Sequence, residues 1–167
     1  MASSKKTYRR LIEIALIIIV LISVRFWVQR DAVSGMAPDF QALTLKGQTF
    51  SLYEEKKRPI LVHFWATWCR VCKLEQSNID NIAKDYPVIT IAIKSGSNDE
   101  LLTFLQDENL SFNVINDDNN NFSISHKYKV KGVPVSYIIN EKNEIEFVEV
   151  GYTTELGLRL RMWWASL

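Results

Sequence analysis

Between Leu11 and Val28 the chain is apolar at nearly every position, broken only by Glu13, Ser23 and Arg25. As a helix this stretch reaches about 27 Å, close to the roughly 30 Å of a bilayer's hydrocarbon layer. Beyond residue 36 the apolar runs are short and regularly interrupted. Ile60 to Trp65 (Ile-Leu-Val-His-Phe-Trp) predicts a strand buried on both faces, and Val88 to Ile93 a second. Arg70 to Asp85 predicts a helix, because Leu74, Ile79, Ile82 and Ala83 recur at roughly helical spacing. Asn98 is placed to cap a helix reaching about Asn109. Phe112 to Asn116 predicts a short strand, and Ser123 to Tyr128 a brief helix. Val135 to Asn140 and Ile145 to Val150 predict a hairpin across Glu141-Lys142-Asn143-Glu144. Thr154 to Trp164 predicts a closing helix, with Leu156, Leu160, Trp163 and Trp164 as its buried face. Strand–helix–strand, then a hairpin and a helix, is an α/β fold with a mixed central sheet flanked by helices. Asn116 to Asn121 reads as a solvated loop.

The basic residues around the first apolar run change its meaning. Lys5, Lys6, Arg9 and Arg10 precede it, and Arg25 and Arg30 lie near or after its end. Positive-inside counting then expects residues 1–10 in the cytoplasm, 11–28 across the membrane, a tether over 29–36, and a domain over 37–167 outside the cytoplasm. Glu13 and Arg25 would snorkel to opposite interfaces, with Phe26 and Trp27 in the aromatic belt. The segment is either a removable signal peptide or an uncleaved anchor. Ala32-Val33-Ser34 and Gly35-Met36-Ala37 are poor cleavage sites, which favours the anchor.

At 167 residues, 47% hydrophobic, the chain holds one ordinary domain and an appendage. With 20 basic against 19 acidic residues, no electrostatic case for nucleic acid exists. Its two cysteines, Cys69 and Cys72, close too short a loop to act as a staple. Their spacing points to redox chemistry or to half of a metal site. Structural zinc wants four ligands, and only His63 and His126 could add to the sulfurs, in no recognisable pairing, so no metal and no cofactor is assigned. Copper(I) on the same two thiolates is the softer alternative. Cys69 falls between a strand end and a helix start, where free N–H groups and the macrodipole favour its thiolate, the attacking species in exchange. Cys72 lies one turn on, within reach to resolve a mixed disulfide. Trp65 reads as core and Trp68 as a platform for a partner.

The string Phe-Trp-Ala-Thr-Trp-Cys-Arg-Val-Cys over residues 64–72, together with Gly132-Val133-Pro134, resembles the thioredoxin superfamily. Ala37-Pro38-Asp39-Phe40 and Glu75 are similar to the membrane-tethered TlpA/ResA/DsbE branch. The closing run Gly151 to Arg161 resembles the ScsD proteins of copper-tolerance operons. The resemblance implies a thioredoxin-like fold with one transmembrane helix before it, and an inner-membrane, periplasm-facing thiol–disulfide oxidoreductase. It implies Cys69 as nucleophile, Cys72 as resolving thiol, Glu75 as proton handler, and Pro134 as a cis-proline. The cis bond would turn the Val133 backbone towards an extended client segment, beside Trp68. Client proteins and a membrane electron donor of the DsbD/ScsB kind are the implied partners. Reduction of client disulfides is the expected direction, with a disulfide-introducing oxidase or a copper(I) chaperone as alternatives. A peroxiredoxin is disfavoured, although Ala37-Pro38-Asp39-Phe40 is similar to one, because a Thr-x-x-Cys setting is absent.

Four departures bear on tuning. His63 stands where thioredoxin carries a buried aspartate; it either serves the resolving thiol's proton or is a satisfied core histidine. Arg70-Val71 contains no proline, and Arg70 both favours the Cys69 thiolate and opposes the helix dipole. Gln76-Ser77 replace a kinking proline, and Val135-Ser136 follow Pro134 in place of a threonine pair.

Overall fold

A computed structural model describes residues 2–29 and 32–167, which form two separate compact units. The first is one unbroken helix, α1 (Ala2–Gln29). Its described side chains are those of residues 8–10, 12–20, 23 and 24, among which Ile12, Ile14 and Leu16 to Val20 are exposed. Arg9 reaches Glu13 one turn on, at 3.0 Å. Among the described residues no helix is long and apolar enough to cross a membrane. The expected roles of Lys5, Lys6, Arg25, Phe26, Trp27 and Arg30 lie outside the described side chains.

The second unit holds the strands β1 (Gly35–Met36), β2 (Gln41–Leu43), β3 (Thr49–Ser51), β4 (Ile60–Trp65), β5 (Val88–Ala92), β6 (Asn113–Asn116), β7 (Val135–Ile139) and β8 (Glu144–Val150). Its helices are α2 (Arg70–Ile82), α3 (Asn98–Asp107), α4 (Ser123–Lys127) and α5 (Glu155–Ala165). The sheet runs β1-β8-β7-β4-β5-β6. β4 lies parallel to β5 and antiparallel to β7, so it is the central strand of a mixed sheet. All six of its residues are buried, as a continuous apolar run requires of a strand covered on both faces.

Alternation along β4 assigns its side chains to two cores. Leu61 and Trp65 join Cys72, Ile79 and Ile82 of α2, Leu101 of α3, and Leu158 and Met162 of α5. Ile60, Val62 and Phe64 join Phe40, Leu52, and Ile124 and Tyr128 of the α4 side. The CxxC therefore sits over the first face, at the carboxyl end of β4. That is where crevices open in open α/β sheets.

The expected strands and helices over 60–65, 70–85, 88–93, 98–109, 112–116, 123–128 and the 135–150 hairpin all form, with ends trimmed by one to three residues. Four features differ. The cap of α3 is Ser97, not Asn98: its hydroxyl accepts from the Glu100 N–H while Glu100 accepts from the Ser97 N–H. Residues 116–121 are not a plain solvated loop, since residues 117–120 form a 3-10 turn and Asn116 and Asp117 are buried. Asp117 accepts from the N–H groups of Ile124 and Ser125 at the start of α4. The β2–β3 ribbon and the short β1, paired to β8 at Ile145 and Glu144, lie in segments too polar to signal strands.

The fourth difference is the rotation of α5. Leu156, Leu160, Trp163 and Trp164, expected inside, are exposed, and Leu158 and Met162 are buried instead. The helix carries two apolar stripes, so periodicity does not choose between them. Tertiary charge pairing accompanies the choice. Arg159 binds Asp85 just beyond α2 at 2.7 Å, and Arg161 binds Glu149 of β8 at 2.6 Å.

Candidate functional site

Cys69 is the N-cap of α2, and it is joined to Cys72 in a disulfide. The Cys72 N–H points at the Cys69 sulfur at 3.2 Å. In the dithiol state that unpaired helix-end donor faces the sulfur that must carry negative charge, which lowers the cost of its thiolate. The first turn of α2 contains no acidic residue to oppose this, and Arg70 is exposed beside it. Of the two sulfurs only the first is within reach of a partner: Cys69 is 7% exposed and Cys72 is fully buried.

Pro134 follows a cis peptide bond, as the resemblance implies. The Cys69 sulfur lies 3.6 Å from the Val133 carbonyl oxygen, so the dithiol and the Val133–Pro134 segment form one edge. Trp68 stands exposed beside it, held by donation from Nε1 to the Lys94 carbonyl at 2.9 Å. A groove along this edge is lined by Trp68, Lys94, Phe122, His126, Val130 and Val133. His126, given no role by its sequence setting, belongs to this groove and packs by Phe122 at 6.4 Å between ring centres. Val71 and Leu74 add exposed apolar surface on α2. Trp65, by contrast, is core, packed against Phe104 and Phe112, with its indole N–H donated to Thr90.

Glu75 is not on a solvated helix face. It is fully buried one turn past Cys72, where one carboxylate oxygen accepts from the Thr153 N–H at 3.2 Å. Loss of hydration on burial raises its pKa to about 7; the Thr153 bond works against that and the nearby Glu149 charge adds to it. The carboxyl is thus close to half ionised at neutral pH, the condition for moving a proton in either direction.

His63 also lies in the α2-facing layer, between Leu61 and Trp65. Its Nδ1 meets the Ser136 hydroxyl at 2.8 Å, and burial drives its pKa down to about 3. A ring that stays neutral throughout the physiological range holds no proton to give. Its low basicity makes it a poor acceptor, so the proton task falls to Glu75. Register places Thr90, His63, Ser136 and Glu149 side by side across four strands, a polar row that single-strand patterns conceal. Gln76, at a position where a kink was in question, is buried within a continuous α2. Among the described residues no group of three or more His, Cys, Asp or Glu side chains gathers to hold a metal.

With this geometry the chain can exchange its Cys69–Cys72 disulfide with sulfurs of a partner laid against Val133. The comparisons with known proteins agree. The AhpC/TSA family profile matches residues 33–148. A thioredoxin-like protein of Haemophilus influenzae is 28% identical over 97% of this chain and 96% of its own. The thiol-disulfide oxidoreductase ResA of Oceanobacillus iheyensis is 30% identical over 73% of this chain and 67% of its own. A thiol:disulfide interchange protein of the thioredoxin family from Chlorobium tepidum shares the fold, with a TM-score of 0.69 at 20% identity, over 81% of this chain and 98% of that one.

Proposed function

Since the chain belongs to the AhpC/TSA family and is a thiol–disulfide oxidoreductase of the ResA/DsbE kind, we propose that it reduces disulfides in client proteins outside the cytoplasm while α1 anchors it in the inner membrane. The observation that carries this reading is the pairing of a reachable Cys69 at the Val133–Pro134 edge with a buried Cys72 one turn from Glu75. In the dithiol form the Cys69 thiolate attacks one sulfur of the client disulfide, forms a mixed disulfide and expels the client's other sulfur as a thiolate. Cys72 then gives its proton to Glu75 and attacks Cys69. The Cys69–Cys72 bond forms, the client's second sulfur leaves, and two electrons have passed to the client. A membrane donor of the DsbD/ScsB kind returns two electrons and completes the cycle. The similarity to ResA and DsbE proteins supports that assignment, and the cations before the apolar run support the orientation.

The oxidase reading also has a specific observation in its favour. The Cys72 N–H and Arg70 both favour the Cys69 thiolate, and a stabilised thiolate makes the disulfide more oxidising. Replacing Cys72 by Ser separates these readings from simple packing of the sulfurs: that variant should accumulate covalent client adducts through Cys69, and a variant that never does contradicts client reduction.

A further inference from the structure

We propose that Arg161 is a positioning residue that sets the pH at which Glu75 gives up its proton, acting through Glu149. The inference rests on the reading of Glu75 as the proton handler for Cys72. It extends that reading to residues some 75 to 85 positions away in the chain, which neither touch the sulfurs nor belong to the CxxC motif.

The geometry is that of one corner. β8 ends at Val150 and α5 begins at Glu155, and the turn between them supplies the Thr153 N–H that Glu75 accepts at 3.2 Å. β8 also supplies Glu149, which is 5% exposed, and α5 supplies Arg161, whose Nε lies 2.6 Å from the Glu149 carboxylate. Arg161 is itself fixed by donation to the Gly157 carbonyl at 2.8 Å. Glu149 is close enough for its negative charge to disfavour ionisation of Glu75. A buried carboxylate survives as an anion only beside a counter-charge. Arg161 therefore keeps Glu149 ionised and partly cancels the field that Glu149 casts on Glu75. The second Glu75 oxygen has no hydrogen-bond partner, so its ionisation answers chiefly to burial and these charges.

The other charged or titratable groups of the packed elements are occupied elsewhere or neutral. His63 on β4 is held neutral, and Cys69 and Cys72 on α2 are joined. Glu155 and Arg159 on α5 bind each other, and Arg159 also binds Asp85. Arg161 and Glu149 remain as the adjustable pair.

The two members of that pair act on Glu75 with opposite sign, which a packing role does not. Arg161→Met leaves Glu149 uncompensated and raises the midpoint of Glu75. Glu149→Gln removes the like charge, leaves Arg161 positive, and lowers it. Each shift should be about one pH unit or more. Arg161→Lys keeps the charge and should restore the midpoint to within half a unit. The direct readout is the carboxyl carbon resonance of Glu75 in the full-length oxidised protein in detergent, assigned by its loss in Glu75→Gln, followed from pH 4 to 9. The pH profile of client disulfide reduction should move with it. Shifts of the same sign in both variants, or shifts below about 0.3 unit in both, overturn the proposal. If Arg161→Met does not fold, the near-isosteric Glu149→Gln decides alone: a lowered midpoint supports the role, and an unmoved or raised one overturns it. Failure of the underlying reading looks different. There the Glu75 midpoint moves as stated, yet Glu75→Gln leaves the pH profile of reduction unchanged.

Discussion

Glu75 and His63 occupy the same buried layer, and burial acts on them in opposite directions because it penalises whichever form is charged. Glu75 is raised to about 7 and His63 is lowered to about 3. For catalysis the consequence is that the resolving step should accelerate as pH rises through about 7, where Glu75 becomes a base. Glu75→Gln should slow single-turnover reduction of a client disulfide by roughly 10²-fold and abolish that inflection. For stability the signs also oppose. The neutral His63 contributes stability that is complete above about 6.5 and is lost as pH falls towards 3, at up to about 1.4 kcal/mol per pH unit. Urea unfolding of wild type and His63→Leu should therefore show a gap that narrows from pH 7 to pH 4. Glu75 contributes most below its unfolded value, and its contribution fades as pH rises through about 7. Glu75→Gln should accordingly gain on wild type over that interval, and a gap that does not change would contradict the burial assigned to the carboxyl.

At the scale of elements, what the sequence reveals depends on whether one strand or helix contains the signal. β4 and β5 are legible because every position is apolar, and α2 because its strand-to-helix junction carries the two cysteines. Pro134 is legible through Gly132-Val133 before it. Three things are not. The inward face of α5 is decided by Asp85 and Glu149, on other elements. The burial of Glu75 depends on a turn 78 residues away. The polar row through His63 exists only once four strands are in register. The α5 rotation is tested by paired truncations. Leu158→Ala and Met162→Ala should each cost about 2–5 kcal/mol, while Leu156→Ser and Leu160→Ser should stay within about 0.5 kcal/mol. Equal costs in the two sets would reverse the assignment. Ser97→Ala, which breaks the capping box of α3, should cost about 1 kcal/mol.

At the scale of the whole molecule, the fold places one reachable sulfur at a docking edge and hides its partner beside a proton acceptor. That arrangement serves exchange in either direction, because a path for the proton and the electrons is the same forwards and backwards. Direction is set by where the protein stands and what recharges it. The proposal that α1 holds the domain at the outer face of the inner membrane, within reach of a membrane donor, is therefore the claim on which the physiological role turns. Thiol trapping of the native chain in intact cells, by alkylation of Cys69 and Cys72 with and without the membrane donor, tests it most directly. The account predicts a pair that is mostly reduced and becomes oxidised when the donor is removed; a pair oxidised in both conditions would contradict it.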